Sequence, residues 1–363
     1  MALSKIDAAG LDIGQIGGRR NLIINGAMQV DQRNSGSAVT GISDTSNYIP
    51  DRFQIRVDGS GSGRMTAQQV TDAPANFKNS LKITVTTTDA SPTASEGYAI
   101  RQSIEGQNVS HLNFGTSDAQ TITVSFYVKS SVTGDFSLNL GNGSSTRWYG
   151  ALYTVNTVDT WERKTVTLVG DTTGTWASDN TSGLVVIFGL GGGSSRTTTA
   201  DAWQTLSGTQ TFTTGGTNLF ATSSATFQIT GVQLEVGSVA TPFEHRSYGE
   251  ELALCQRYYY MHVQGNGETI TFAANYYSSS TFEAHIPFPV TMRTDPSLDI
   301  VAGTDYYRIY RLSGNESTNT FLNGGSHPNI GYIYITGASS TAGTGAHVTT
   351  NNASSYIAWD AEL

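Results

Sequence analysis

Alternation of apolar and polar residues is the clearest pattern along this chain. Between residues 121 and 128, Ile122, Val124 and Phe126 occupy every second position. A period of two places these side chains on one face of a β-strand, where a second sheet can bury them. Comparable segments recur between turn clusters and predict a β-sandwich. Before Arg246 they are residues 51–57, 81–87, 121–129, 136–140, 165–169, 184–190 and 226–236.

The start of the chain does not show this alternation. Residues 1–20 contain four glycines among mixed polar and apolar residues, which is too irregular for an independent helix and predicts an arm. Residues 21–30 have the apolar density of a buried strand, interrupted by the turn signal Asn25-Gly26. We therefore predict that this segment is the opening strand of the first domain.

One helix is predicted, over residues 247–262. Ser247 and Glu250 have the spacing of a capping box. Leu252, Cys255 and Tyr259 follow at steps of three and four residues and would form a narrow apolar stripe. Such a stripe must be buried by a domain or by sister chains, and one hypothesis is that three copies of the helix share a seam. Cys255 is interpreted as a packed residue rather than a reactive thiol.

A second set of strand-like segments follows the helix, at residues 269–272, 281–288, 306–312, 330–336 and 356–360. The predicted fold class is therefore all-β, with a smaller C-terminal β domain. The predicted domains are an arm at 1–20, a sandwich at 21–246, a linking helix at 247–262 and the C-terminal domain at 263–363.

Composition narrows the classes of function. Only 13% of residues are charged and 40 are glycine, which favours short strands and many turns over long helices. The net charge of -9 is dispersed, and basic residues do not cluster beyond pairs such as Arg19 and Arg20, which disfavours nucleic acid as a partner. The single cysteine excludes an intrachain disulfide and a cysteine metal cage. Residues 1–18 lack the apolar core of a signal peptide, so we expect synthesis in the cytoplasm and no membrane insertion.

Catalytic motifs for zinc, nucleotide and serine-hydrolase chemistry are missing from the sequence, and we expect no enzyme activity, cofactor or metal. A glycoside hydrolase needs only two facing carboxylates, so that alternative stays open. Its candidate acids in the second unit are Glu283, Asp295, Asp299 and Asp305, which we interpret as solvated loop residues.

Aromatic residues are the candidate contacts for a glycan or receptor. Trp148 and Tyr149 follow a Gly/Ser-rich turn, where an exposed ring can stack on a sugar, although inward packing is the more usual fate of such residues. Trp176 and Trp203 lie in polar loops. Tyrosine combines large contact area with little lost rotamer freedom, which adds Tyr306, Tyr307 and Tyr310.

Several short motifs occur in an ordered series. They are Asn21-Leu-Ile-Ile-Asn-Gly26, Asp51-Arg-Phe53, Tyr127-Val-Lys-Ser-Ser131, Trp161-Glu-Arg163, Gly231-Val-Gln-Leu-Glu-Val-Gly-Ser238 and Ala240-Thr-Pro-Phe-Glu244. Over residues 21–246 the chain resembles the carbohydrate-binding-module-like jelly rolls of phage tail-fibre and minor virion proteins. The segments 248–260 and 286–293 and the terminal Trp-Asp-Ala-Glu-Leu also resemble the C-terminal regions of phage fibres.

This resemblance implies a jelly roll, a location in the virion and assembly into a homotrimer. On this interpretation residues 1–20, with Arg19 and Arg20, dock to other tail or capsid proteins. The rest of the appendage attaches to host surface polysaccharide, and repeated weak contacts add up through avidity. The alternatives are a purely structural head-fibre, adaptor or collar protein without ligand, and a polysaccharide depolymerase.

Overall fold

A computed structural model describes residues 19–45, 47–312 and 314–363. The chain divides into two compact units, which are Met1–Glu251 with Leu363 (unit 1) and Leu252–Glu362 (unit 2). Both units are built from β-strands, as the alternation pattern predicts. Residues 1–18 of the predicted arm lie outside the described residues, so the docking role assigned to it stays a prediction.

Unit 1 contains two large sheets. Its strands are, in chain order, β1 (Val39–Ile42), β2 (Asn47–Tyr48), β3 (Gln54–Asp58), β4 (Arg64–Val70), β5 (Ser80–Thr87), β6 (Gly97–Glu105), β7 (Ile122–Ser130), β8 (Gly134–Asn142), β9 (Arg147–Val155), β10 (Glu162–Leu168), β11 (Ser182–Gly192), β12 (Thr197–Thr198), β13 (Trp203–Thr205), β14 (Phe212–Thr213) and β15 (Thr226–Val236). A short helix, α1 (Gly106–Val109), follows β6, and 3-10 turns lie at Ser110–Leu112, Ser194–Arg196 and Leu219–Ala221.

The strand order makes unit 1 a jelly-roll β-sandwich. The first sheet has the order β1-β4-β5-β15-β7-β10 and the second β13-β9-β8-β11-β6-β3-β2. From β5 to β11 the chain crosses repeatedly between the two sheets, and within each sheet the neighbours pair antiparallel. All seven strands predicted for this unit are present, which confirms the predicted fold class.

The core lies between the two sheets. On β7 the side chains of Ile122, Val124 and Phe126 are fully buried, as their alternation predicts. The ring of Phe126 meets the rings of Tyr153 and Phe188 from the second sheet, with centroids 4.8 and 5.0 Å apart. Burial of each such side chain contributes about 1.5–3 kcal/mol, so this layer is what holds the sheets together.

The predicted opening strand at residues 21–30 is wrong, because this segment is a series of bends and turns. A side-chain amide and two isolated backbone bonds take the place of a regular strand ladder here. Asn21 donates from Nδ2 to the carbonyl oxygen of Val232 (3.0 Å), and its Oδ1 atom accepts from the backbone amides of Ile23 and Leu234 (3.0 and 3.1 Å). Two backbone hydrogen bonds, from the Leu22 amide to Leu234 and from the Val232 amide to Gly26 (both 2.9 Å), also tie the segment to β15, and most of its apolar residues are buried without a regular strand pair.

The linking helix is shorter than predicted. Helix α2 spans Tyr248–Gln256, and the Ser247 hydroxyl accepts from the amide of Glu250 (3.3 Å), as in a capping box. The Glu250 carboxylate pairs with Arg19 at 3.1 Å. The helix ends before a run of three tyrosines at residues 258–260, a residue type that favours strands. In the described part of the chain, no helix is long and apolar enough to cross a membrane.

Unit 2 holds a three-stranded and a seven-stranded sheet. Its strands are β16 (Tyr259–Gln264), β17 (Thr269–Tyr276), β18 (Thr281–Pro287), β19 (Ser297–Ile300), β20 (Tyr307–Arg311), β21 (Gly314–Thr318), β22 (Leu322–Asn323), β23 (Ile330–Thr336), β24 (Gly345–Thr350) and β25 (Tyr356–Asp360). The orders are β16-β25-β19 and β21-β20-β24-β17-β18-β23-β22. The five strands predicted here are present, and β18 ends at Pro287, which has no N–H to continue a ladder.

The predicted oligomer stripe needs correction. Tyr259 belongs to strand β16 rather than to the helix, because its backbone pairs with Asp360 of β25. Its hydroxyl donates to the Asp299 carboxylate at 3.0 Å, and both Tyr259 and Cys255 are 1% exposed. Only Leu252 is half-buried. Two members of the stripe are thus already covered within the chain and cannot form a seam between chains. Homotrimer formation itself stays a prediction.

Candidate functional site

The predicted contact residues in β9 are buried. Trp148 lies on the outer face of the second sheet, where it packs with Ala99, Val185 and Ile187 and is inaccessible to solvent. The connection between β11 and β15 covers this face, as shown by bonds from Asn139 to the carbonyl oxygens of Gln210 and Phe212. Tyr149 faces the core and is 7% exposed. A contact role for these two residues is therefore wrong, and inward packing prevails.

Trp176 and Trp203 come together at one rim of the sandwich. Their ring centroids are 5.5 Å apart, and Phe114 lies 4.9 Å from Trp176. Each indole nitrogen donates to a backbone carbonyl, Trp176 to Thr173 (3.2 Å) and Trp203 to Val169 (2.9 Å). Trp176 also lines a cavity of about 190 Å³. The rings are half-buried and their indole donors are used within the chain, so the cluster anchors loops, and Trp176 and Trp203 stay candidate contacts.

In unit 2 the predicted tyrosines have different environments. Tyr307 is fully buried, with its hydroxyl 2.7 Å from the carbonyl oxygen of Val301, so its predicted contact role is wrong. Tyr306 is half-buried, and Tyr310 is half-buried with its ring stacked on His347 at 5.3 Å. Tyr306 and Tyr310 stay candidate contacts.

The candidate acids of unit 2 also lie in separate environments. Glu283 accepts from the Tyr332 hydroxyl at 3.2 Å, and Asp299 accepts from the Tyr259 and Tyr356 hydroxyls at 3.0 and 2.9 Å. Asp295 lies 3.6 Å from His327 at an exposed position. Asp305 occupies a turn with φ of 57°.

A groove on the outer face of the first sheet collects aromatic rings that the sequence did not single out. We call it the aromatic groove and define it by Phe77, Tyr127, Phe243, His245 and Arg163. Phe77 is central, with its ring centroid 5.4 Å from that of Tyr127, 5.0 Å from Phe243 and 5.3 Å from His245. The groove encloses about 620 Å³, and its remaining lining comes from Asn76, Ser125, Gly231, Ala240 and Pro242.

Strand register places two of these side chains next to each other. Phe126 and Val128 point into the core, so Tyr127 points outward from β7. Arg163 of β10 is the residue directly opposite Tyr127 in the antiparallel ladder. Directly opposed residues have Cβ atoms about 4.5–5.5 Å apart on the same face of the sheet. The groove thus has one aromatic and one cationic side chain fixed by a single strand pair.

A break in the register of β15 makes room for Phe77. The pairing of β15 with β7 shifts between Thr230 and Gln233, and Gly231 in this bulge has φ of 61°. A Cβ atom at Gly231 would stand 2.7 Å from Cζ of Phe77 and 3.1 Å from Cδ2 of Tyr127. Only glycine lets both rings approach the strand this closely.

A buried carboxylate, Glu235, and a buried amide, Gln233, hold the segment that carries Phe243. Glu235 accepts from the backbone amide and the hydroxyl of Thr241 at 2.9 and 2.7 Å. Gln233 accepts from the amide of Glu244 at 2.8 Å. The two motifs around Gln233 and Phe243 therefore bind each other, which explains why they occur together in the sequence.

Glu244 closes this network at the other side. Its carboxylate accepts from the backbone amides of Arg20 and Asn21, both at 3.0 Å, and from the Arg246 guanidinium at 3.2 Å. Burial alone would raise the pKa of Glu244, but these donors outweigh it and the pKa lies below its usual range. Arg20 also donates to the carbonyl oxygen of Pro242 at 3.4 Å.

Polar side chains continue the outer face beside the groove. Asp72 accepts from Lys129, from Gln228 (3.2 Å) and from the Trp161 indole (3.3 Å). The hydrogen bond from Lys129 is the main reason why the pKa of Asp72 is lowered. The ammonium group of Lys129 also lies 5.4 Å from the centre of the Trp161 ring.

The sequence contains signals for some residues of the aromatic groove but not for all of them. Tyr127, Arg163 and Phe243 belong to motifs that carry the family resemblance, and Tyr127 stands on the outward face of the clearest alternating strand. Phe77 lies in a loop without any motif, and no spacing pattern connects it with Phe243.

No protein-family model and no curated protein sequence matches this chain. Several solved structures are similar to it. The enzymatically active domain of tailspike protein 4 from bacteriophage CBA120 is similar over 60% of this chain, with 10% identity and a TM-score of 0.29, and this chain spans only 21% of its length. A family 11 carbohydrate-binding module from Clostridium thermocellum, in complex with a beta-1,3-1,4-mixed-linked tetrasaccharide, is similar over 56% of this chain and 97% of that module, with 11% identity and a TM-score of 0.28.

The CBM22-1-CBM22-2 tandem domain from Paenibacillus barcinonensis Xyn10C is similar over 91% of this chain and 99% of its own length, with 9% identity and a TM-score of 0.28. The strand order and register of unit 1 themselves define its jelly-roll sandwich.

Proposed function

We propose that this protein is a non-enzymatic subunit of a bacteriophage appendage, of the tail-fibre type, that attaches to glycan on the host surface. The observation that carries the proposal is the aromatic groove, an open site lined by four aromatic rings on an outer face of the sandwich. The motifs that resemble phage tail-fibre jelly rolls support the assignment to a virion.

The chemistry of the groove suits a sugar. Sites for small ligands combine apolar and aromatic walls with a few placed polar groups. Phe77 and Phe243 supply apolar surface for the C–H face of a pyranose ring. Asn76, Ser125 and Arg163 supply hydrogen-bonding groups for its hydroxyls. One open site of this kind binds weakly, and a trimer would raise the overall affinity through effective concentration.

A binding role without catalysis is part of the proposal. Glycoside hydrolysis requires two carboxyl groups that flank one bond, about 5–10 Å apart. Within the described part of the chain, the residues that line the aromatic groove include no aspartate or glutamate. In unit 2, Glu283 accepts from the Tyr332 hydroxyl and Asp299 from the Tyr356 hydroxyl, while Asp295 lies at an exposed position 3.6 Å from His327.

A purely structural virion protein is the second candidate, and one observation favours it. Several residues that carry the family resemblance hold strands and loops together rather than reaching solvent, among them Asn21, Gln233 and Glu235. The motifs could therefore be kept for the fold alone, as in a head fibre, adaptor or collar protein. Cryo-electron microscopy of the particle distinguishes the two, because an internal position would exclude host attachment.

Binding to host polysaccharide tests the leading proposal. The full chain and the variant Phe243→Ala are compared on bacterial cells and on purified surface polysaccharides, after circular dichroism has shown that both are folded. We expect the variant to bind at least ~10-fold more weakly, since it loses the contact between this half-buried ring and the sugar, and a tenfold loss corresponds to about 1.4 kcal/mol. Leu312→Ala is the matched control, because Leu312 is fully exposed at a hairpin of unit 2.

Three results would contradict the proposal. They are equal binding by Phe243→Ala and the unchanged protein, no binding to any polysaccharide, and release of reducing sugar from a bound polymer, which would instead indicate a depolymerase. Light scattering of the same samples measures the oligomeric state, for which we expect a trimer.

A further inference from the structure

We infer that the aromatic groove takes an acidic glycan, and that Arg163 binds the carboxylate of a uronic acid in it. The inference rests on the proposed function and narrows it from glycan in general to a carboxylate-bearing class. It is carried by the charge of the groove and by the hydrogen bonds of one guanidinium group.

The groove is cationic in an acidic protein. The whole chain has 29 acidic against 20 basic residues and a net charge of -9. The groove lining contrasts with this, because among the described residues it includes the cationic Arg163 and no aspartate or glutamate. A neutral sugar needs hydroxyl partners of both donor and acceptor type, and carboxylates commonly supply the acceptors. A lining that offers a cation and no carboxylate is complementary to an anion.

Arg163 has no ionic partner within the part of the chain that the structure describes. Its Nη2 atom donates to the carbonyl oxygen of Thr241 at 2.8 Å. Some arginines of unit 1 are ion-paired, such as Arg147, whose Nε and Nη2 donate to Asp171 at 2.6 and 2.8 Å, whereas Arg64 and Arg196, like Arg163, donate to carbonyl oxygens. The exposed guanidinium of Arg163 therefore keeps most of its five N–H donors available for a ligand.

The hydrogen bond to Thr241 orients Arg163 for a bidentate contact with a ligand. Attachment to Thr241 fixes the orientation of the planar guanidinium beside Tyr127, its partner in the strand ladder. A planar fork of donors matches the two oxygens of a carboxylate, which lysine cannot reproduce. The sugar ring that carries the carboxylate would then lie over the rings of Phe77, Tyr127 and Phe243.

Matched polymers and matched variants test this inference. The polymers are polygalacturonate, alginate and hyaluronan, each beside its carboxyl-reduced form, and dextran sulfate beside dextran. The variants are Arg163→Gln, Arg163→Lys and Phe243→Ala. Arg308→Gln in unit 2 is the control, because it removes the same charge from strand β20. Binding is measured by calorimetry at 50 and 300 mM NaCl.

We expect at least one uronate polymer to bind at least ~10-fold more tightly than its reduced form, and Arg163→Gln and Arg163→Lys to remove that preference. Arg308→Gln should bind like the unchanged protein. High salt should weaken binding of the uronate polymer but not binding of its reduced form. If the reduced polymers bind as tightly as the uronate polymers and Phe243→Ala abolishes that binding, the ligand is not acidic, but glycan binding by the groove still stands.

Other results separate the remaining possibilities. Equal affinity for dextran sulfate would overturn the carboxylate assignment in favour of general attraction to polyanions. Binding to none of these polymers or to host polysaccharide would contradict the proposed function as well. If Arg163→Gln changes the oligomeric state, the guanidinium contacts a sister chain and the inference is wrong.

Discussion

Phe77 packs so closely on Gly231 that a Cβ atom at the glycine would stand 2.7 Å from Cζ of the ring. The φ angle of 61° at Gly231 makes the bulge of β15 possible, and the bulge in turn gives Phe77 its place at the centre of the aromatic groove. The shape of the groove thus depends on the backbone conformation of one residue.

Substitution Gly231→Ala should destabilise unit 1 and weaken glycan binding together. A left-handed conformation costs a residue with a Cβ atom roughly 1–2 kcal/mol, and displacement of Phe77 adds to this. Urea unfolding measures the loss. The control is Gly249→Ala in helix α2, where a Cβ atom meets nothing within 4 Å. There alanine should raise the stability by up to about 1 kcal/mol. Equal effects of the two substitutions would contradict this view of the bulge.

Substitution Asn25→Ala should cost about 2–4 kcal/mol of unfolding free energy. The fully buried side chain of Asn25 donates to the carbonyl oxygens of Val30 and Asp51 (2.7 and 2.9 Å) and accepts from the amides of Gln29 and Val30 (2.8 and 3.0 Å). Alanine would leave these groups without partners in the interior.

The matched substitution for comparison is Asn47→Ala. The side chain of Asn47 bonds only to Asp44 at the surface, so its removal should change the stability by less than about 0.5 kcal/mol. A small effect at Asn25, similar to that at Asn47, would show that water replaces the lost bonds.

Stability of unit 1 should depend on Glu244 in acid. The folded-state pKa of Glu244 lies below the unfolded value of 4.5, so its contribution is present above pH 4.5. It is lost as the pH falls through the lower folded-state pKa. Glu244→Gln should therefore be less stable than the unchanged protein at pH 7, by about 1–3 kcal/mol, and the difference should shrink below pH 4.5. Unfolding curves from pH 7 to 3 measure this, and a constant difference would contradict it.

His262 should make unit 2 sensitive to mildly acidic pH. Its Nε2 atom lies 2.7 Å from the carbonyl oxygen of Ile270, to which only an N–H can donate, and Nδ1 lies 3.0 Å from the Tyr260 hydroxyl. Burial lowers its pKa from 6.5. The unfolded chain then binds the proton first, and stability should fall as the pH drops below 6.5.

Calorimetric unfolding between pH 8 and 5 checks the histidine prediction. His262→Gln should be less stable at pH 8 but should depend less on pH than the unchanged protein. His327→Gln is the control, because the His327 side chain is 73% exposed. A pH dependence that is unchanged in His262→Gln would assign the effect to another group.

Local sequence pattern was sufficient for the strands. The alternation at Ile122, Val124 and Phe126 predicted the buried face of β7, and Ser247 predicted the start of α2. It failed at residues 21–30, where apolar density suggested a strand but the Asn21 side chain and two backbone hydrogen bonds hold a bent segment against β15. It also failed at Tyr259, because pairing with β25 ended the helical pattern.

The sequence by itself determined the all-β fold, the strand positions and the motifs around Gln233 and Phe243, because a period of two residues and turn chemistry act between near neighbours. Only the tertiary structure decided which aromatic rings are accessible. Trp148 is covered by the connection that follows β11. Phe77 and Phe243 come from distant parts of unit 1 and are in contact on an open face. Exposure depends on what the rest of the chain covers, and that is settled by sheet packing over long sequence separations rather than by the residue's own neighbours.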